Sequence, residues 1–126
     1  MEDNPRLLWG YVEVALKPHR AAGEARSIET LNRLYQAALR ATKQPPGPPL
    51  ARAECGVVNE HWPIERLAAT PRAQTKGEPA LESTALLVVR RPDGSVVIVD
   101  GAKRANKLVA AKAPGPHSVV VIEAPA

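Results

Sequence analysis

The chain has 126 residues, enough for one domain with a modest core, and a formal net charge of +4 that permits phosphate-bearing partners without requiring them. Cys55 is the single cysteine, which excludes an intramolecular disulfide and a cysteine-built metal cluster, and no apolar run approaches the ~20 residues that cross a bilayer. With no Phe, and only Trp9, Trp62, Tyr11 and Tyr35 for aromatic bulk, the core must be built from Val, Leu, Ile and Ala. The start, MEDNPR, does not read as a signal peptide, so a soluble cytoplasmic protein is expected.

Asn4-Pro5 suits a helix start, with Asn as N-cap and Pro at the first helical position. Leu8, Tyr11, Val12, Ala15 and Leu16 then make one stripe that ends at Lys17-Pro18; the alternation from Tyr11 to Leu16 also fits a strand, and helix is favoured. Residues 23–42 hold the clearest helical pattern. Ser27 is placed to cap it, Glu29 lies in its first turn, and Ile28, Leu31, Leu34, Tyr35, Ala38 and Leu39 recur at helical spacing. Arg33 and Arg40 fall outside that stripe, on a face more often solvated than bound to nucleic acid.

Gln44-Pro45-Pro46-Gly47-Pro48-Pro49 can neither continue a helix nor join a sheet. It should be a stiff polyproline II spacer, with an SH3-type ligand role as a further reading. Cys55 has Glu54 beside it and only Arg52 as a nearby cation, so a buried structural thiol is expected rather than a nucleophile. His61-Trp62-Pro63 leads into residues 64–67, read as a short strand or turn entering the sheet. Residues 70–77, TPRAQTKG, form a polar basic loop.

The apolar runs 86–89 and 96–99, joined by Arg91-Pro92-Asp93-Gly94, read as a β-hairpin, with Pro at the second and Gly at the last turn position. The second strand stops at Asp100-Gly101. A short helix with Ala105, Leu108 and Val109 on one stripe follows from Lys103, Gly115-Pro116 closes it, and residues 118–122 make a further strand. The first amides of a helix lack intrahelical partners and carry the positive end of its dipole, Gly101 permits close approach, and Lys103 and Arg104 add charge. The element is therefore a candidate phosphate site, although it has neither Walker nor G-x-G-x-x-G spacing. A solvated basic helix start accounts for the same residues equally well.

The run V-V-I-V-D-G-A-K-R-A-N-K-L-V-A-A, followed by V-V-V-I, resembles the core of the ParB/sulfiredoxin-like superfamily. That family carries a G-x-[HR]-R element between a strand and a helix; here Gly101-Ala102-Lys103-Arg104 stands in its place. The segment W-P-I-E-R-L-A-A-T-P-R-A-Q-T is similar to the family's first strand and following loop, so the resemblance covers about residues 58–124. Ala102 replaces the cysteine that sulfiredoxins need, Lys103 replaces the usual His or Arg, and no helix-turn-helix is seen. The helix between the family's first strand and hairpin is shrunken to about residues 78–83. The resemblance implies an α+β fold built on a small mixed sheet; the family core does not include the N-terminal helices, which read as an accessory element that packs on that sheet or mediates self-association. Residues 1–44 would form a helical region, 45–57 a proline-rich spacer, and 58–126 the ParB/sulfiredoxin-like core.

The resemblance further implies a protein that binds a nucleotide or nucleic-acid phosphate at the DGAKR element. Gly101 would admit the phosphate, the amides around Ala102 would hold it, Lys103 would act as a point charge and Arg104 would clamp it. Arg72 and Gln74 would form a second wall. A nucleoside triphosphate with Mg2+ is the implied cofactor. If the site is enzymatic, phosphoryl transfer or phosphodiester or nucleotide hydrolysis is implied, with Asp100 as general base or metal ligand; capping, or orienting Arg104, are its other readings. No protein-built metal site is expected, since His19, His61 and His117 are isolated. Two other classes compete. One is a non-enzymatic regulator of the phage or plasmid type, meeting a protein partner through the helix over 27–42 and the proline spacer. The other is a DNA-binding adaptor using Arg33, Arg40, Arg90, Arg91, Lys103, Arg104 and Lys107. No membrane partner is expected.

Overall fold

The computed structural model describes residues 5–74 and 86–125, less the side chains of residues 5–7. At its centre are four strands: β1 (Gly56–Trp62), β2 (Leu86–Arg90), β3 (Val96–Asp100) and β4 (His117–Glu123). Valine recurs in β2, β3 and β4, because its branched side chain is stiff and fills a pleated surface well. Across the sheet the order is β1-β4-β2-β3. β4 runs antiparallel to β1 and parallel to β2, and β2 runs antiparallel to β3.

Helices cover both faces. Leu87, Val89, Val97, Val120 and Ile122 share one buried cluster with α1 (Pro5–Leu16) and α2 (Ser27–Ala41), through Leu8, Trp9, Val12, Leu16, Leu31, Tyr35 and Leu39. On the opposite face Leu86, Val88, Ile98, Val119 and Val121 pack with Trp62, Leu67 of α3 (Ile64–Ala69) and Ala105 of α4 (Ala102–Ala110). Burial on two sides is why β2 and β4 read as continuous apolar runs instead of alternating ones. Truncating a fully buried side chain such as Leu31 or Ile122 to Ala should cost about 2–5 kcal/mol. Among the described residues no helix is long and apolar enough to cross a membrane.

The α+β class with a mixed sheet agrees with expectation, and several local expectations are corrected. The first strand is residues 56–62, and the segment read as a short strand or turn, 64–67, lies in α3. Only Leu67 of that helix is buried, so its pattern carried little periodicity. In α1 it is Trp9 that turns inward, whereas Tyr11 is 65% exposed; the inward stripe is Leu8, Trp9, Val12 and Leu16. The N-cap of α2 is Arg26, and Ser27 is already its first helical residue. The carboxylate of Glu29 in the first turn reaches back to accept the N–H of Ala25 at 2.7 Å and of the N-cap Arg26 at 3.3 Å, so the chain entering the helix is fixed without a serine cap. The expected cap Asn4, the loop residues Lys76 and Gly77, and the shrunken helix at 78–83 lie outside the described residues.

The proline-rich segment lies along α2. The side-chain amide of Asn32 donates to the carbonyl of Leu50 at 2.8 Å and accepts its N–H at 2.6 Å. Gln36, one turn further along, does the same for Gly47, at 2.9 and 3.1 Å. Residues i and i+4 project from one helix face, which is why this pair can grip one strand of backbone twice. Cys55, just beyond, is buried, and burial pushes its thiol up, as the structural reading requires.

Candidate functional site

The site expected at the end of β3 is shaped by an irregularity in the hairpin. The turn itself follows its residues: Gly94, at φ +88°, donates its N–H to the carbonyl of Arg91 at 2.9 Å, and Arg91 bonds back to Ser95 at 2.8 Å. Val88 pairs with Ile98, but Leu87 pairs with Asp100, so one step along β2 spans two along β3. Strict alternation would send Asp100 to the face of α3 and α4, after Val96 and Ile98. The extra residue re-aims it toward the α1–α2 layer, as bulges do.

There Asp100 meets His19, in the 3-10 turn Lys17–His19 that ends α1. Nε2 of His19 lies 2.9 Å from Oδ1 of Asp100, whose side chain is only 15% exposed. The same oxygen accepts the N–H of Gly101 at 3.0 Å. Burial pushes the Asp100 carboxyl up, and His19 and the Gly101 amide draw it back down. His19, expected to be a surface or locally bonded histidine, is the partner of the candidate catalytic carboxylate, and nothing in the spacing of the sequence signals that pairing. An imidazole held by a carboxylate is an arrangement used in general acid–base chemistry.

Gly101 is the N-cap of α4 in the left-handed region, at φ +90°, with no side-chain cap on the helix and no acid in its first turn. Asp100 therefore bonds the Gly101 amide and leaves the helical amides beyond it uncapped by side chains. Lys103 is exposed, and Gly101, Ala102 and Arg104 are half-buried. Uncapped amides, the helix dipole and two cations together favour an anion here.

The loop 70–74 does come to α4, but through Asn106. Nε of Arg72 donates to Oδ1 of Asn106 at 2.5 Å, and Nδ2 of Asn106 donates to the carbonyl of Ala73 at 3.2 Å. Nη1 of Arg72 is directed at the carbonyls of Thr70, Leu67 and Ala68, at 3.0, 3.3 and 3.4 Å. The carbonyl of Pro71 accepts the N–H of Ile98 at 3.0 Å, closing part of the outer edge of β3. Arg72 thus holds the end of α3 to α4, while Gln74 is exposed. Asn106 was not singled out in the sequence, where it reads as an ordinary polar helix position.

The other cations are dispersed. Arg33 donates to Glu24 at 2.6 Å and to the carbonyl of His19. Arg90 reaches Glu60 at 2.8 Å and Glu123 at 3.2 Å, on the face of α3 and α4. Beside that cluster Arg66 lies over the ring of Trp62, 4.2 Å from its centroid. Arg91 bonds Gln44 and Ser95 on the α2 side. Arg40, Lys103 and Lys107 are exposed. The seven cations of the DNA-adaptor reading therefore do not share one surface. Among the described residues no group of three or more His, Cys, Asp or Glu side chains could hold a metal ion.

Compared with known proteins, the chain matches no family model, no curated protein and no solved structure.

Proposed function

We propose that the protein is a phosphate-binding module, of ParB/sulfiredoxin-like type, that takes a nucleotide or a nucleic-acid phosphate at the N-terminus of α4. One observation carries the reading: a left-handed glycine cap, without a side-chain cap, opens a helix whose first turn holds Lys103 and Arg104 and no acid. The phosphate oxygens would accept the first amides of α4, Arg104 would supply paired donors and Lys103 a point charge. A Mg2+ ion, where one takes part, would arrive on the phosphates of the nucleotide and meet Asp100, the carboxylate next to the glycine. If the site also hydrolyses its ligand, the His19–Asp100 pair is the acid–base candidate beside it.

Titration of the isotopically labelled protein with ATP, CTP, GTP and a short DNA duplex, with and without Mg2+, tests this by NMR. Shifts clustered on residues 101–104 for one ligand, and lost in Arg104→Ala, are expected. A flat response to all four would remove the reading. Binding retained in the variant would remove Arg104 as the clamp.

A further inference from the structure

The strap formed by residues 44–50 has a period of three. Gln44 and Gly47 are half-buried and Leu50 is buried, while Pro45, Pro46, Pro48 and Pro49 are all exposed. Proline fixes its own φ near −65° and biases the residue before it to extended geometry, so residues 44–49 favour polyproline II, and their three-residue burial period agrees with it. That helix has three residues per turn, a triangular prism with three edges. One edge, 44-47-50, is turned to α2: the N–H of Gln44 bonds the carbonyl of Leu39 at 2.8 Å, and Gln36 and Asn32 grip Gly47 and Leu50. The other two edges, 45-48 and 46-49, carry prolines alone and face outward.

The geometry points to this ridge as a docking surface for a protein partner with an aromatic-lined groove of the kind that reads P-x-x-P segments. Such grooves take two edges of the prism and leave the third, and the strap presents the two proline edges in both registers. The ordering entropy that a free peptide must give up on binding has already been lost here, because α2 fixes the backbone. Exposed Arg40 and Lys43 flank the ridge at one end, which fits a groove with carboxylates beside it. This surface is separate from the phosphate site, and the inference stands without it.

Purified SH3, WW and EVH1 domains are the probes, titrated into the labelled full chain and, for comparison, into a peptide of residues 40–52. The expected result is that at least one domain shifts the resonances of residues 44–50, and binds the full chain more tightly than the peptide. Pro45→Ala/Pro48→Ala and Pro46→Ala/Pro49→Ala should each weaken that binding at least ~10-fold, because each strips one edge. These side chains are exposed, and the unfolding midpoint of each variant checks that the fold survives. Failure of every domain to bind, tighter binding of the peptide than of the folded chain, or indifference to both proline pairs would each overturn the inference and leave the strap a tether.

Discussion

Oδ1 of Asp100 lies 2.9 Å from Nε2 of His19, so the last residue of β3 is held by the turn that ends α1. Burial raises the Asp100 carboxyl above its ordinary 3.8. A carboxyl raised by folding binds more protons folded than unfolded. Its stabilising contribution is therefore present in acid and lost as pH rises from 3.8 through the folded value. Asp100→Asn removes this dependence. Urea midpoints measured against pH should show the native protein losing ground to Asp100→Asn as pH rises through that window; parallel curves would show that Asp100 is not strained by its burial.

Glu24 has the opposite sign. The guanidinium of Arg33, the N–H of Ala21 and the hydroxyl of Thr30 hold its carboxylate at about 2, against an ordinary 4.5. Its contribution is complete above 4.5 and decays as pH falls toward 2. Glu24→Gln should be less stable than the native protein at neutral pH, with the gap closing in that acid window. A gap that does not change with pH would mean that shape, not charge, ties Glu24 to α2.

Gly47 sits where a side chain does not fit. A Cβ there would lie 2.8 Å from the hydroxyl oxygen of Tyr35, whose side chain is buried. Gly47→Ala should destabilise the fold by about 1–3 kcal/mol, as overpacking does. Asn32→Ala, which strips both partners from the backbone of Leu50, should cost a similar ~1–3 kcal/mol. Chemical denaturation reads both, and amide exchange at Gly47 and Leu50 should speed up in each variant.

At Arg72 structure and ligand compete for one side chain. Its bonds to Asn106 and to the carbonyls at the end of α3 mean that Arg72→Ala should lose about 1.5–3 kcal/mol before any ligand is added. Arg72→Lys should recover only part, because an ammonium cannot match the planar fork. Unchanged stability in Arg72→Ala, with a lost nucleotide response, would return Arg72 to the phosphate site.

What could be read from the sequence was local. The hairpin announced itself through Pro92 and Gly94, α2 through a sustained 3.6-residue stripe, and α4 through Ala105, Leu108 and Val109. β1 was hidden because it is an edge strand whose middle, Asn59, Glu60 and His61, is polar, leaving only Val57 and Trp62 as its buried residues. The docking of the proline strap was hidden too, since Asn32 and Gln36 look like solvated helix positions until a backbone lies across them. The His19–Asp100 pair depends on a one-residue bulge and on long-range packing, and neither leaves a mark in spacing or composition. The glycine after β3 and the two cations that follow it were legible, but the helix opens at Ala102 instead of Lys103, Asp100 bonds the Gly101 amide instead of capping the helix, and its partner His19 left no mark.

The strand order has a consequence for how the molecule comes into being. Among the described strands β1 bonds only to β4, and β4 is the last of them in chain order, seated between β1 and the β2–β3 hairpin. During synthesis the hairpin can close as soon as it emerges, and α1 and α2 can begin to coil, but β1 must wait with its edge unmatched until β4 arrives. Such distant pairing slows folding toward the millisecond-to-second range. Until then the apolar faces of Leu86, Val88 and Val89 are open to neighbouring chains. The nascent protein should therefore lean on a chaperone up to the moment β4 slots in, and very little after it.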